Sequence, residues 1–258
     1  MIFLQGGKGF LGSAIAKELK KNNFKFKIIT KQNYKIFKKK KCKIFINAST
    51  NSRKYLSKNK DLFDFNNTVL NIKRSIVDFS FSKYILVSSC EVYNNKNNPK
   101  CNSEHSFIDP QKLSNYGFNK YLAELIVKKE CKSWLILRCN GLIGDKIKKG
   151  PIYDIKNNSL IWSNPDSQYQ FINIIDVARV IIRLIKTKVK NQVFNLSGES
   201  FIKIKNIIKD YHFKNKKYKT NIKKEIYNIN IRKIKKFYKI KKTQFYVKDF
   251  FSMFKIFS

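Results

Sequence analysis

Residues 2–12 read IFLQGGKGFLG, and this stretch decides the fold. Its first four residues predict a short buried strand, and the apolar spacing of residues 11–21 predicts a helix just after the glycines. The glycines permit a tight turn at 6, close approach of a pyrophosphate at 9, and helix–strand packing at 12. This context favours a dinucleotide-binding loop at a helix N-terminus over the alternative, a plain tight turn. The residues of this loop predicted to bind the cofactor are Gly6, Gly9, Phe10, Leu11 and Gly12.

The rest of the chain alternates strands with helices, which predicts an α/β fold with a Rossmann-type doubly wound parallel sheet. Further strands are predicted at 25–30, 43–47, 83–89, 133–138 and 192–198, and helices at 65–79, 116–129 and 174–186. Residues 1–144 are predicted to form the dinucleotide-binding domain. Residues 145–258 are predicted to be a mixed region, with a small, reduced substrate-binding part and with 171–198 returning to the sheet. Within it, 201–211 has a helical pattern and 233–242 is too basic to assign.

The chain of 258 residues is strongly basic, with 55 Lys and Arg against 17 Asp and Glu, a formal charge of +38. Such a charge would suit a polyanionic partner. However, only six of the basic residues are arginine and the lysines are spread throughout, which favours a compositional bias over nucleic-acid binding. Residues 201–258 alone carry +15, and a functional basic patch stays open as an alternative there.

Cysteine usage and hydropathy exclude several classes of protein. The five cysteines form no CxxC pair and the chain has two histidines, so neither a disulfide framework nor a metal site is expected. Reduced thiols predict a cytoplasmic location. No apolar run approaches 18 residues and the N-terminus lacks a basic start, so neither a membrane span nor a signal peptide is predicted.

The end of the second strand favours NADP over NAD. It reads Ile29-Thr30-Lys31 and lacks the carboxylate that would bind a ribose 2′-hydroxyl. A carboxylate there would repel a 2′-phosphate, whereas a hydroxyl and an ammonium would attract one. Thr30 and Lys31 are therefore predicted cofactor-binding residues.

Three residues form a candidate catalytic set. Tyr116 and Lys120 are spaced i, i+4 and share one face of a predicted helix, and Ser89 ends the fourth strand. A free tyrosine titrates near ~10, and a neighbouring ammonium would lower that pKa and make the phenol an acid–base group. Alone, a Tyr-x-x-x-Lys match is as readily accidental in a chain rich in both residues.

The match is not alone. Segments 6–13, 47–49, 87–93, 116–124, 137–144, 171–178 and 193–196 resemble, in order and spacing, the motifs of the extended short-chain dehydrogenase/reductase family. This family comprises NAD(P)-dependent nucleotide-sugar epimerases, dehydratases and reductases. The resemblance covers roughly residues 1–200. It implies keto reduction or epimerisation of a sugar, and the expected substrate is a nucleotide-linked sugar. A homodimer is left open, and neither a membrane nor nucleic acid is an expected partner.

The resemblance also implies residue roles. Tyr116 would be the acid–base group, Lys120 would hold the cofactor ribose, and Ser89 would polarise the substrate oxygen. Asn47 and Ala48 would join the cofactor site, and the implied substrate residues are Glu91, Arg138 and Asn140. Two side chains keep alternatives: Asn67 lines the cleft or is merely exposed, and Arg138 meets a phosphate or forms a salt bridge. Asp176 is expected to cap a helix.

The chain also departs from the family pattern. Cys90-Glu91 stands where the sugar dehydratases carry Asp-Glu, so the proton donor to a departing hydroxyl is missing and dehydration is disfavoured. Asn94 replaces a glycine, and only residues 31–42 separate the second and third strands. A non-catalytic dinucleotide-binding or scaffold protein is the alternative function, against which the presence of Ser89, Tyr116 and Lys120 argues.

Overall fold

A parallel sheet of six strands forms the centre of the computed structural model, which describes residues 1–213 and 217–254 and, within these, omits the side chain of Lys58. The strands are β1 (Ile2–Gln5), β2 (Phe26–Ile29), β3 (Lys41–Asn47), β4 (Ser80–Ser89), β5 (Trp134–Cys139) and, later in the chain, β9 (Gln192–Leu196). Their order is β2-β1-β3-β4-β5-β9. The Rossmann-type sheet is confirmed, and the late strand β9 pairs parallel with β5.

Helices cover both faces of this sheet. Strand side chains alternate between two hydrophobic clusters, with Leu4 and Ile46 in one and Phe3 and Phe45 in the other. In the first cluster, helices α1 (Phe10–Lys21) and α8 (Ile174–Ile185) pack against the sheet. In the second cluster, helices α5 (Asn71–Asp78) and α6 (Asn115–Glu130) pack against the opposite face. Burial on both faces is why the middle of the central strands carries apolar runs, such as residues 44–46 in β3 and 84–86 in β4.

The connection from β2 to β3 crosses over β1 and is short. It contains only the one-turn helix α2 (Tyr34–Phe37), as the short spacing between the two strands predicts. The ring of Phe37 packs edge-on against Phe3, with centroids 5.4 Å apart, and so covers the sheet where a longer helix would otherwise lie.

The helical part of the segment between β3 and β4 begins earlier than predicted. Two short helices, α3 (Leu56–Asn59) and α4 (Asp61–Phe65), come first, and a π-helical turn at Asn66–Leu70 then joins α4 to α5. The helix predicted over 65–79 is therefore one part of a longer, interrupted helix. Such π-turns often lie at functional sites.

The remaining elements form a small region beside the carboxyl ends of the strands. They are β6 (Leu142–Ile143), α7 (Pro151–Lys156), β7 (Gln168–Tyr169), β8 (Ile172–Asn173), β10 (Ile202–Lys203), α9 (Ile204–Asp210), α10 (Arg232–Lys235) and α11 (Thr243–Ser252). Strands β7 and β10 pair antiparallel, and β6 and β8 pair parallel. The helix predicted over 201–211 therefore begins later, because its first residues pair with β7 instead.

The basic tail is anchored to the Rossmann domain through Asp176. The phenols of Tyr238 and Tyr246 donate to this buried carboxylate over 2.9 and 2.7 Å. The expectation that Asp176 caps its helix is wrong, because Asn173 accepts the hydrogen bond from the N–H of Ile175 and is the cap. In the part of the chain that the structure describes, no helix has the length and apolar character to cross a membrane.

Candidate active site

The glycine loop after β1 has the shape that a dinucleotide needs. A Cβ on Gly12 would lie 1.9 Å from the carbonyl oxygen of Gly6, and Gly6 itself has a φ of +86°. A Cβ on Gly6 would lie 2.6 Å from backbone atoms of Ala48, so the two loops after β1 and β3 touch at the point where the strand order reverses. Helix α1 begins there with Gly9 as its cap, and the first N–H groups of a helix have no acceptor within it. These residues fit a pyrophosphate at the helix N-terminus.

Asn47 is buried behind the loops after β1 and β3 and does not lie on their surface. The residue is fully buried, and its amide nitrogen lies within hydrogen-bond distance of Gln5, Ser75 and Tyr84. Its Oδ1 accepts from the N–H and hydroxyl of Ser49 over 3.0 and 2.8 Å. The expectation that Asn47 contacts the cofactor is therefore wrong: burial leaves it no surface, and it instead fixes the loop that begins at Ala48.

The end of β2 carries Thr30 and Lys31 as expected, but the threonine has a structural task. Its hydroxyl accepts from the N–H of Asn33 over 3.4 Å, while its own N–H donates to the side chain of Asn33 over 2.7 Å. This turn starts α2. The side chain of Lys31 is exposed and free to meet an anion.

The structure brings the predicted catalytic residues together at the carboxyl ends of β3 and β4. The hydroxyl of Ser114 caps α6 and fixes the start of the helix that carries Tyr116 and Lys120. The Lys120 ammonium lies 5.3 Å from the centroid of the Tyr116 ring, and the side chain of Ser89 lies close enough to the Tyr116 hydroxyl to lower its pKa. The three side chains therefore lie close together at this edge of the sheet.

Burial controls the protonation of this set. Desolvation raises the pKa of Tyr116 and the charge of Glu91 adds to the rise, while the hydrogen bond with Ser89 opposes it. Desolvation also lowers the pKa of Lys120 to about 7. Tyr116 therefore carries its proton at neutral pH, and Lys120 titrates in the physiological range.

Two residues of this site were not predicted. Thr50 Oγ1 accepts a hydrogen bond of 2.6 Å from the Lys120 ammonium, and the carbonyl of Asn51 accepts one of 3.4 Å from the Tyr116 hydroxyl. Both residues directly follow the 47–49 motif, and this position after a central strand is the signal that could have indicated them. They hold the acid–base pair from the side of β3.

Arg138 is not a substrate residue. Its side chain is 1% exposed and forms a bidentate ion pair with Glu124, with the shortest contact 2.7 Å. It also donates to the hydroxyl of Tyr93 over 2.8 Å. The structural salt bridge, kept open above as the alternative, is what the chain forms. It ties α6 to β5 beneath the catalytic residues.

Glu91 is held by the chain itself. Lys96 and Lys54 contact its Oε2 over 2.9 and 3.2 Å, and the phenol of Tyr227 donates to its Oε1 over 2.5 Å. Burial raises the pKa of Glu91, but the two ammonium groups and the phenol outweigh burial and bring it below its usual value. Both oxygens of this predicted substrate residue are therefore engaged.

Asn67 lines a cavity of about 240 Å³ together with residues 49–53, Leu56 and Phe63. The cavity adjoins Thr50 and so lies beside the acid–base pair. Asn140, at the end of β5, is half-buried and donates to Ser197 and to the carbonyl of Gln170 over 3.2 and 3.4 Å. Its role toward a substrate stays a prediction.

Positive charge collects at this cavity. Desolvation, aided by the charge of Arg53, lowers the pKa of Lys149 to about 8, and Lys149 in turn lowers that of Lys120. Within the described residues, no group of three or more His, Cys, Asp or Glu side chains could hold a metal ion.

Comparisons with known proteins agree with this geometry. Residues 2–197 match the model of the NAD dependent epimerase/dehydratase family. No curated protein gives a significant match to the chain.

Among solved structures, the fold is similar to three nucleotide-sugar enzymes. UDP-N-acetylglucosamine 4-epimerase from Methanobrevibacter ruminantium has a TM-score of 0.75 and 20% identity, with 98% of each chain covered. UDP-glucuronic acid 4-epimerase from Bacillus cereus, in complex with UDP-glucuronic acid and NAD, has a TM-score of 0.78 and 17% identity, covering 97% of this chain and 98% of that one. dTDP-4-dehydrorhamnose reductase from Bacillus anthracis, in complex with NADP, has a TM-score of 0.77 and 16% identity, covering 98% and 97%.

At these identities the solved structures show the shared fold, while the family model covers most of the chain. The ordered motifs, the six-stranded sheet and that match lead to one conclusion: the chain belongs to the NAD dependent epimerase/dehydratase family, which is of the extended short-chain dehydrogenase/reductase type.

Proposed function

We propose that this protein uses NAD(P) to reduce a keto group of, or to epimerise, a nucleotide-linked sugar. The observation that carries the proposal is the convergence of Ser89, Tyr116 and Lys120 at the sheet edge that also carries the glycine loop. A scaffold that only bound a dinucleotide would have no need of a buried phenol beside a buried ammonium.

The chain's own groups supply the proton chemistry. Tyr116 is protonated at neutral pH, so its hydroxyl can donate to a substrate carbonyl oxygen that accepts negative charge. Lys120 stabilises the phenolate that results, and Ser89 donates to the same oxygen. When bound, the nicotinamide supplies or accepts the hydride.

Dehydration does not fit the proposal. Both oxygens of Glu91 are held by Lys54, Lys96 and Tyr227, and its neighbour Cys90 is a buried thiol whose pKa burial raises. Neither side chain is placed to give a proton to a departing hydroxyl. This supports a reductase or epimerase over a dehydratase.

The cofactor we propose is NADP. The turn after β2 places a hydroxyl and the exposed ammonium of Lys31 where an NAD-specific site would have a carboxylate. A 2′-phosphate carries the charge that such a turn attracts.

The proposed substrate is anionic and the proposed location is cytoplasmic. Arg53 and Lys149 supply positive charge beside the catalytic lysine, which suits a diphosphate-linked sugar such as those named for the solved structures. All five cysteines lie within the described residues as free thiols, as in reducing compartments.

A homodimer is the proposed assembly. Leu62 on α4 and Phe118 and Leu125 on the adjoining α6 are exposed, and Leu125 is seven residues, or two turns, after Phe118. A self-complementary contact between two copies would cover these side chains. Sedimentation velocity should give twice the monomer mass, and a monomer at micromolar concentration contradicts this assembly.

Binding measurements test the proposed activity. Fluorescence titration should show NADPH binding more tightly than NADH. In a thermal-shift screen with cofactor present, at least one nucleotide sugar should raise the Tm, because a ligand of the folded state stabilises it. Failure to bind either nicotinamide cofactor contradicts the proposed function.

A further inference from the structure

A buried carboxylate lies directly behind the acid–base pair. Asp64, in the last turn of α4, is 0% exposed, and among the described residues it forms no ion pair. An unpaired carboxylate inside a protein is costly unless hydrogen bonds hold it. Asp64 accepts three: from the amide of Asn51 over 2.8 Å, from the hydroxyl of Thr68 over 3.1 Å and from the amide of Asn119 over 3.0 Å.

Two of these donors belong to the two sides of the catalytic site. Asn51 lies in the loop after β3, and its carbonyl accepts the hydrogen bond from the Tyr116 hydroxyl. Asn119 lies on α6 immediately before Lys120. One carboxylate therefore joins the loop that contacts both catalytic residues to the helix that carries them.

The third donor, Thr68, orients the carboxylate of Asp64. Thr68 lies in the π-helical turn that follows α4, four residues after Asp64, and is itself fully buried. Its hydrogen bond fixes the Asp64 side chain from within its own helical segment. The carboxylate is thus oriented before it meets Asn51 and Asn119.

We propose that Asp64 is a positioning residue: its carboxylate holds Asn51 against α6, so that Tyr116 and Lys120 keep the geometry and charge that proton transfer requires. This inference rests on the proposed function of the Tyr116–Lys120 pair. Asp64 itself touches neither substrate nor cofactor.

Charge supports the same role. Desolvation lowers the pKa of Lys120, and the largest opposing contribution is the negative charge of Asp64 on α4. The other groups that act on Lys120 are Glu124 on its own helix and Cys139 on β5, which raise its pKa, and Lys149 before α7, which lowers it; the Tyr116 ring contacts it as well. Loss of the Asp64 charge should lower the pKa of Lys120 below about 7.

Asp64→Asn tests the inference, and Asp61→Asn is the matched control because Asp61 is an exposed aspartate on the same helix. In the reduction direction, Asp64→Asn should lower kcat about 10- to 100-fold, as small misplacement of catalytic groups does, with the Kd for NADPH changed less than about 2-fold. Activity should fall with rising pH at a lower pH than in the wild type, because Lys120 loses its proton earlier. Asp61→Asn should match the wild type in both respects.

A second readout does not need turnover. In lysine-labelled protein, the side-chain NMR resonance that titrates near 7 and is lost in Lys120→Arg reports Lys120 directly. Its midpoint should move to lower pH in Asp64→Asn and stay unchanged in Asp61→Asn. If Asp64→Asn does not fold, Asn119→Ala removes one link and keeps the charge: it should lower kcat and leave the midpoint in place.

The outcomes separate the two claims. A wild type that binds no nicotinamide cofactor overturns the proposed function, while the Lys120 midpoint still tests Asp64. An Asp64→Asn protein that is folded and has wild-type kcat, pH profile and Lys120 midpoint overturns the inference. If Asp64→Asn does not fold, an unchanged kcat in Asn119→Ala also overturns the inference.

Discussion

The phenol of Tyr227 donates a hydrogen bond of 2.5 Å to Oε1 of Glu91 and so joins the C-terminal region to the segment that carries Ser89, the proposed catalytic serine. Lys54 extends this contact, because its ammonium meets both Glu91 and Glu225, over 3.2 and 3.0 Å. The C-terminal region is therefore fixed to the Rossmann-type sheet by a charge network centred on the carboxylate of Glu91, whose side chain is 10% exposed.

Glu91→Gln should lower the free energy of unfolding by about 1–3 kcal/mol at pH 7, because it removes a charge that holds two ammonium groups. The pKa of Glu91 is lower in the folded protein than in the unfolded chain, so its stabilising contribution is complete above about pH 4.3 and is lost as pH falls through the folded-state pKa. The difference between wild type and variant, measured by urea unfolding, should therefore shrink in acid.

Glu199→Gln is the control for that measurement. Glu199 pairs with Lys235, but both side chains are well exposed, and such pairs contribute about 0–1 kcal/mol. A pH-independent loss in Glu91→Gln, or an equal loss in the control, would count against a stabilising role of the contacts to Glu91.

Arg138→Met should destabilise the fold by about 3–5 kcal/mol, because it leaves the Glu124 carboxylate buried without its partner. Adding Glu124→Leu should recover much of that loss, since both buried charges are then gone. Urea unfolding of Arg138→Met, Glu124→Leu and the double variant at pH 7 gives the coupling free energy between the two side chains. Additive losses would show that the ion pair is not the structural element described above.

Lys31→Glu should weaken NADPH binding about 10-fold and change NADH binding little, because the charge reversal acts on the 2′-phosphate alone. Lys35→Glu, on the exposed side of α2, makes the same charge change at a neighbouring position and serves as the control. Equal effects on both cofactors, or equal effects of the two substitutions, would refute a role for Lys31 in cofactor choice.

The sequence predicts the parts of this site that are local in the chain. The glycine turn depends on spacings of three residues, and the Tyr116–Lys120 pair on one helical turn, so both are visible as patterns. The parallel, doubly wound sheet follows from the alternation of strands and helices, and the short link at 31–42 indicates the reduced crossover.

The rest depends on contacts between residues far apart in the chain. The expected cap at Asp176 fails because Asn173, three residues earlier, takes the cap and leaves the carboxylate to tyrosines more than 60 residues away. Asn47 and Arg138 have polar side chains that read as ligands, and only the folded sheet shows that neighbouring strands and helices bury them. The link from Asp64 to Asn119 likewise spans 55 residues, beyond any local pattern.

The most direct test of the account is Tyr116→Phe, assayed for NADPH binding and for turnover of the nucleotide sugar that raises the Tm. The substitution removes one hydroxyl from a buried ring and should leave the Kd for NADPH within about 2-fold of wild type. Turnover should fall by about 10²- to 10⁴-fold, the usual contribution of a positioned acid–base group. Wild-type turnover in Tyr116→Phe would contradict the central claim that this phenol transfers the proton.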